Sequence, residues 1–173
     1  MKPGHVVLVG LPGAGKSTAG RRAAAEMALG FLDLDEQIAT ESGLSIPELI
    51  ARDGESQFRV RERDTMLRTL GGPPTVIAPG GGWAAQPGNL EAVEGIGIVV
   101  YLEVTPAVAA RRLGDASGRP LLADGPVLER LTELQGRREK YYRRAAHTIA
   151  TDDKSAAQVA VAIAALARKH AGL

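Results

Sequence analysis

The sequence predicts a single α/β domain in which a parallel sheet is covered by helices on both faces. Short runs of β-branched and aliphatic residues alternate along the chain with segments of helical composition. A glycine-rich turn separates the first apolar run from the first helical segment. The chain has 173 residues, which suits one domain of ordinary size and would make two cramped.

The predicted strands are short and continuously apolar, which is typical of strands buried on both faces of a sheet. They cover residues 5–10, 31–35, 75–78, 96–104 and 147–151. Because helical segments separate them, the strands are expected to run parallel, with their carboxyl ends at one edge. Ligands of such folds bind beyond that edge, and the first three strands end in a glycine-rich loop, two aspartates and three glycines.

The predicted helices fill the intervals between the strands. Residues 35–70 form a helical insert with breaks near Ser42-Gly43 and Asp53-Gly54, and Ser45 is placed to cap a helix that has Pro47 in its first turn. Thr105 is a candidate cap for a helix over 106–113. The other helices are predicted at 16–29, 126–144 and 155–169, and residues 114–125 form a polar loop rich in small residues.

Charge and composition exclude several classes of protein. The 21 Lys and Arg residues nearly balance 20 Asp and Glu, which argues against general nucleic-acid binding. The absence of Cys excludes thiol catalysis, disulfides and Cys-ligated zinc. The apolar stretch at residues 6–9 is too short for a secretion signal, and the run at 156–167 is too short to span a membrane. We therefore expect a soluble cytoplasmic protein that binds neither nucleic acid nor membranes.

Residues 10–17 fit the phosphate-binding pattern G-x-x-x-x-G-K-[ST] between a predicted strand and a predicted helix. The glycines allow backbone N–H groups to surround phosphate oxygens, and the helix N-terminus adds partial positive charge. Lys16 is expected to reach the β- and γ-phosphates of ATP, and the Ser17 hydroxyl to ligate Mg²⁺. The predicted nucleotide-binding residues of this loop are Gly13, Ala14, Gly15, Lys16, Ser17 and Thr18.

Asp33 and Asp35 are two residues apart at the end of the second predicted strand. In a regular strand both side chains would point to the same side, towards the phosphate-binding loop. One could then serve Mg²⁺, and the other could face the hydroxyl group that accepts a phosphoryl group. The alternative is that Asp35 caps a helix and Asp33 is a surface acid.

Motifs along nearly the whole chain resemble those of the shikimate kinases. Any one of them is weak evidence, but six in the right order and spacing are strong. They are GLPGAGKST at 10–18, FLDLD at 31–35, Phe58-Arg59 with Glu62, the glycines at 80–82, RPLL at 119–122, and Arg138 with Tyr142 four residues later.

The resemblance implies a nucleoside-monophosphate-kinase-like fold, with a five-stranded sheet of order 2-3-1-4-5, and transfer of the ATP γ-phosphoryl group to the 3-hydroxyl of shikimate by a monomeric enzyme. It assigns Ser17 and Asp33 to Mg²⁺. Lys16 and Asp35 become catalytic residues, with Arg119 acting from a mobile lid at 114–125 that closes on ATP. Arg112 and Lys154 are assigned to the nucleotide-base region. The implied shikimate-binding residues are Asp35, Arg59, Gly81, Gly82 and Arg138.

The chain departs from the family pattern at three positions. Leu34 stands between the two aspartates where a small polar residue is common, Pro79 removes a backbone donor before the glycines, and Trp83 follows them where a smaller residue is common. Trp83 is expected to pack on a helix at residues 88–93, the alternative being that it narrows the acceptor pocket. Tyr142 is expected to support Arg138 by packing. Solvated helix faces are expected for Arg61, Arg63, Arg143 and Arg144.

Two other functions compete with this interpretation. A kinase of the same fold could act on gluconate or a nucleoside monophosphate, but those acceptors carry different anions and need a different set of arginines and acids. A non-catalytic nucleotide-binding regulator would be expected to lose Lys16, Ser17 or the acids, and the chain retains them all.

Overall fold

The strands lie side by side in one parallel sheet of order β2-β3-β1-β4-β5, as the resemblance implied. The structure is a computed structural model that describes residues 4–114 and 126–171. All five residues of the central strand are buried, and successive residues of a strand face opposite sides, so both faces of the sheet are covered. The strands are β1 His5–Val9, β2 Gly30–Asp33, β3 Thr75–Ala78, β4 Gly97–Glu103 and β5 His147–Ala150.

The helices begin at residues whose side chains or backbones favour helix ends. Ser45 and Glu48 form a capping box, as do Ser155 and Gln158, and the Thr105 hydroxyl accepts the Val108 N–H. The described helices are α1 Lys16–Met27, α2 Leu34–Ser42, α3 Ile46–Asp53, α4 Glu55–Leu70, α5 Pro106–Leu113, α6 Val127–Tyr142 and α7 Ala156–His170.

The second strand is shorter than the sequence predicted. It ends at Asp33, whose side chain caps α2 by accepting the Glu36 N–H at 3.1 Å. Asp35 therefore lies in the first turn of α2 and not in a strand, so the expectation that both carboxylates lie on the same side of one strand is wrong. The alternative that Asp35 caps the helix is also wrong, because aspartate is a strong cap and the one at the strand end takes that place.

The sheet register brings the functional segments to one edge. Asp33 pairs with Ala78, and β1 lies next to β3, so the phosphate-binding loop, Asp33 and the glycines after β3 follow three adjacent strands. The first helix packs closely on these strands because Gly20 has no side chain. A Cβ there would lie 2.8 Å from the Phe31 ring and 2.9 Å from Leu8. The register of the sheet thus determines which loops lie next to one another at its carboxyl edge.

Trp83 is fully buried in a short 3₁₀ turn, Trp83–Ala85, and its carbonyl accepts a hydrogen bond from the buried Asn89 side chain at 2.9 Å. The expectation of packing therefore agrees with the structure, although residues 91–93 form only a 3₁₀ turn. The four arginines expected on solvated faces are exposed. The expected lid with Arg119 lies outside the described residues, except for Gly114. In the part of the chain that the structure describes, no helix is long and apolar enough to cross a membrane.

Candidate active site

A cavity of about 970 Å³ opens at the carboxyl ends of β1, β2 and β3. One end is lined by the phosphate-binding loop together with Arg112 and Lys154, and the other by helices α3 and α4 and the glycines after β3. All the predicted site residues that the structure describes line this cavity. It offers room for a nucleotide and a small acceptor side by side.

The phosphate-binding loop presents the N-terminus of α1 to the cavity. The helix begins after Gly15, which has a positive φ of 88°, with no side-chain cap and no acidic residue in its first turn. Gly13 also has a positive φ, 83°, and a Cβ there would lie 2.8 Å from the Ala109 carbonyl oxygen. The first N–H groups of a helix have no partner within the helix, so this end is suited to an anion.

Lys16 spans the loop on which it lies. Its Nζ donates hydrogen bonds to the carbonyl oxygens of Gly10 at 2.8 Å and Leu11 at 3.0 Å. These bonds hold the ammonium group over the loop, where a phosphate chain on the α1 N-terminus would run. A cation at this position offsets the charge of phosphate oxygens.

Ser17 and Asp33 form the pair predicted for Mg²⁺. The Ser17 hydroxyl donates a hydrogen bond to Asp33 Oδ2, which joins the start of α1 to the end of β2. Within residues 4–114 and 126–171, no cluster of three or more His, Asp or Glu side chains could hold a metal ion. Two protein oxygens beside a phosphate site fit Mg²⁺, which keeps waters and substrate phosphates as its other ligands.

Asp35 and Glu62 face each other across Gly80. A Cβ on Gly80 would lie 3.1 Å from Asp35 Oδ2 and 3.4 Å from Glu62 Oε1. Glu62 is buried, and Arg59 Nη1 donates to its Oε2 at 2.8 Å. Burial raises the pKa of Glu62 to about 7, against the opposing effect of Arg59, and the nearby Asp35 charge adds to the rise. Two acidic groups therefore lie together at the end of the cavity that α3 and α4 line.

Arg59 and Arg138 converge on Gly82 from two different helices, α4 and α6. A Cβ on Gly82 would lie 2.7 Å from Arg59 Nη2 and 3.2 Å from Arg138 Nη2. Arg59 Nε is buried without a hydrogen-bond partner in the described part of the chain. The charge of Arg138 opposes the rise that burial causes in the pKa of Glu62, and Arg59 Nη2 also pairs with Glu55 Oε1 at 3.4 Å. Two converging guanidinium groups form a site suited to a carboxylate.

The residues predicted for the nucleotide base lie at the other end of the cavity. Arg112 donates to the Gly13 carbonyl at 3.3 Å, to the Thr151 hydroxyl at 3.1 Å and to the Thr151 carbonyl at 2.6 Å. Lys154 pairs with Asp153 at 3.3 Å. Arg112 therefore ties the phosphate-binding loop to the loop after β5.

The sequence alone assigns no function to Glu62 and only a packing role to Tyr142. The F-R-x-x-E spacing places Glu62 one helical turn after Arg59, which is a signal for an ion pair but not for its burial. The Tyr142 hydroxyl donates to the Gly81 carbonyl at 2.6 Å, and burial raises the pKa of Tyr142 to about 12. No local pattern predicts a bond between residues 61 positions apart.

The sequence model of the shikimate kinase family matches residues 12–167. A shikimate kinase of Paracidovorax citrulli is 41% identical over 149 residues, covering 85% of this chain and 81% of the relative. A shikimate kinase of Mycobacterium tuberculosis strain CDC 1551 is 44% identical over 140 residues, covering 81% of this chain and 79% of the relative.

Solved structures give the same result for the fold. The shikimate kinase of Acinetobacter baumannii in complex with shikimate superposes with a TM-score of 0.90 and 34% identity, covering 96% of this chain and 94% of that chain. A gluconokinase from Sinorhizobium meliloti has a TM-score of 0.62 and 20% identity, covering 98% and 94% of the two chains, which shows only a shared fold. From the site geometry, the family match and these relatives, we conclude that the chain belongs to the shikimate kinase family.

Proposed function

We propose that this chain transfers the γ-phosphoryl group of ATP to the 3-hydroxyl of shikimate, giving shikimate 3-phosphate and ADP, and that it does so with the residues of the cavity described above. The observation that carries the proposal is the convergence of Arg59 and Arg138 on Gly82, opposite the phosphate-binding loop. Shikimate is a small carboxylate with several hydroxyls. Its carboxylate would be read by the two guanidinium groups, which fixes the orientation of the ring.

At the nucleotide end, the N–H groups of residues 13–18 would bind the phosphate chain of ATP, and Lys16 would stabilise the charge that builds on the transferring group. Ser17 and Asp33 would hold Mg²⁺. When bound, Mg²⁺ neutralises charge on the β- and γ-phosphate oxygens. Arg112 and Lys154 would flank the nucleotide base, and Arg119 would act on the phosphates from the segment 114–125.

At the acceptor end, Asp35 would accept a hydrogen bond from the attacking hydroxyl, aim its oxygen at the γ-phosphorus and take its proton as transfer proceeds. The first turn of α2 holds Asp35 beside Gly80. Glu62 would hold the Arg59 guanidinium in place through their 2.8 Å contact. Gly81 and Gly82 leave room for the acceptor because a side chain at either would meet Arg138 or Arg59.

The test is ADP release from ATP and Mg²⁺ with shikimate, gluconate, AMP or CMP as the acceptor. We expect strong release with shikimate and little above background with the others, because only shikimate carries both a carboxylate and hydroxyls on one ring. Arg138→Ala should raise the KM for shikimate about ten- to a hundredfold and leave the KM for ATP nearly unchanged. Preference for gluconate or a nucleotide would overturn the proposed acceptor.

The remaining properties are proposals that rest on the family and the composition. The near balance of charges gives no reason to expect a nucleic-acid partner, and we propose a monomer in the cytoplasm. Sedimentation of the active enzyme with both substrates would test the monomer. A stable dimer under assay conditions would contradict it.

A further inference from the structure

Tyr142, the last residue of α6, connects that helix to the glycine turn after β3. The side chain is fully buried, and its ring stacks on Tyr101 of β4 with centroids 5.3 Å apart. Its hydroxyl donates to the Gly81 carbonyl at 2.6 Å. The ring therefore fills the core, while the hydroxyl reaches the backbone of the acceptor site.

Gly81 lies between the acceptor-binding arginine and the phosphate-binding loop. A Cβ there would be 3.0 Å from Arg138 Nη1, 3.3 Å from Pro12 Cδ and 3.4 Å from the Gly10 carbonyl oxygen. Little room remains for the turn to shift. Arg138 lies one helical turn before Tyr142, and its positive charge acts on the hydroxyl by opposing the rise that burial causes in its pKa. The hydroxyl therefore bonds the backbone of the turn against which the Arg138 guanidinium lies.

We propose that Tyr142 is a positioning residue for the acceptor. Its hydroxyl holds the Gly81–Gly82 turn and Arg138 at the separation that a bound carboxylate requires. Tyr142 therefore sets the affinity for the acceptor but not the affinity for ATP. The inference rests on the proposed function of this site. The hydroxyl touches neither substrate in this role and acts through Gly81 and Arg138.

The structure supplies a matched pair of variants. Tyr142→Phe removes the hydroxyl and keeps the stacked ring. Tyr101→Phe removes the hydroxyl of the other ring in the same stack, and that hydroxyl is buried without a hydrogen-bond partner among the described residues. Both variants lose one buried oxygen from the same ring pair, but only Tyr142→Phe releases the glycine turn.

The experiment measures the KM for shikimate at saturating ATP and Mg²⁺, and the KM for ATP at saturating shikimate, in the wild type and both variants. Shikimate binding without ATP is followed by the fluorescence of Trp83, the only Trp of the chain, which lies next to the turn. In Tyr142→Phe we expect the KM and the dissociation constant for shikimate to rise about three- to tenfold, which is the loss of one hydrogen bond. The KM for ATP should stay within about twofold in both variants.

Four results would overturn the inference. An unchanged KM for shikimate in Tyr142→Phe would show that the hydroxyl does not position the turn. Equal rises in both KM values, or the same effect in Tyr101→Phe, would show a general loss of structure. A Tyr142→Phe protein that fails to fold, judged by circular dichroism, would make the hydroxyl a folding determinant instead. Because the wild type is assayed alongside, a failure of the proposed function appears separately, as a wild type inactive with shikimate.

Discussion

A single methyl group at Gly82 tests whether the two arginines form the acceptor site. Gly82 has φ −87° and ψ −7°, which alanine adopts without strain, so Gly82→Ala adds a Cβ and nothing else. The new Cβ would lie 2.7 Å from Arg59 Nη2 and 3.2 Å from Arg138 Nη2. To reach an ordinary contact, the Arg59 guanidinium must withdraw by about 0.7 Å, and a misplacement of that order is large for a bound ligand.

The expected rise in the KM for shikimate follows from the hydrogen bonds to its carboxylate that Gly82→Ala would weaken. Hydrogen bonds to a charged group contribute about 1.5–3 kcal/mol each, so loss of one such bond to the carboxylate corresponds to a KM for shikimate about ten- to a hundredfold higher. The three nearest atoms to the new Cβ belong to Arg59 and Arg138, so the phosphate-binding loop is not disturbed. The KM for ATP should therefore stay close to the wild-type value.

The measurement is ADP release with each substrate varied in turn, together with the melting temperature. Gly71→Ala is the matched control, because Gly71 has φ −81° and ψ −5° at the end of α4 and a Cβ there would meet only ordinary contacts at 3.6 Å. It should leave both KM values unchanged. If Gly82→Ala binds shikimate as the wild type does, or loses ATP affinity equally, the assignment of the two arginines to the acceptor is refuted.

Three further predictions concern charged groups of the site. Lys16→Ala should lower kcat by at least about 10²-fold while the fold stays intact, because the lysine charge stabilises the phosphate charge that develops during transfer; near-normal turnover would contradict this. Asp35→Asn should lower kcat by about 10²-fold or more at any Mg²⁺ concentration. In contrast, Asp33→Asn should raise the Mg²⁺ concentration needed for activity. If added Mg²⁺ rescued Asp35→Asn but not Asp33→Asn, Asp35 would be the metal ligand and Asp33 the residue that faces the acceptor hydroxyl. The raised pKa of Glu62, about 7, means that the folded protein holds this proton more tightly than the unfolded chain. The protonated Glu62 therefore contributes its full stabilisation of the folded protein below about pH 4.5, and this stabilisation is lost as pH rises through about 7. Urea unfolding at several pH values should show that Glu62→Gln flattens this decline by up to about 3 kcal/mol, and an unchanged slope would contradict the pKa shift.

The fold and the conformation of the phosphate-binding loop could be predicted from the sequence because their signals are local. The phosphate-binding pattern carries its own geometry within eight residues, from Gly10 to Ser17, and apolar runs separated by helices leave little choice but a parallel sheet. Ser45 before Pro47 predicted the start of α3 for the same reason, since a capping box is a contact between near neighbours.

The acceptor end depends on contacts between residues far apart in the sequence, which local patterns do not carry. The sequence suggested a strand through Asp35, but the strand ends two residues earlier, at Asp33. Because Asp33 caps α2, Asp35 lies in the first turn of that helix. In the sequence, Glu62 is one more acidic residue on an amphipathic helix. Only its packing against Gly80 and Arg59 in the folded protein buries it and raises its pKa. The bond from Tyr142 to Gly81 likewise exists because the sheet brings α6 over the turn after β3. Burial and long-range hydrogen bonds are properties of the assembled sheet and its helices, and these decide the charge and shape of the acceptor site.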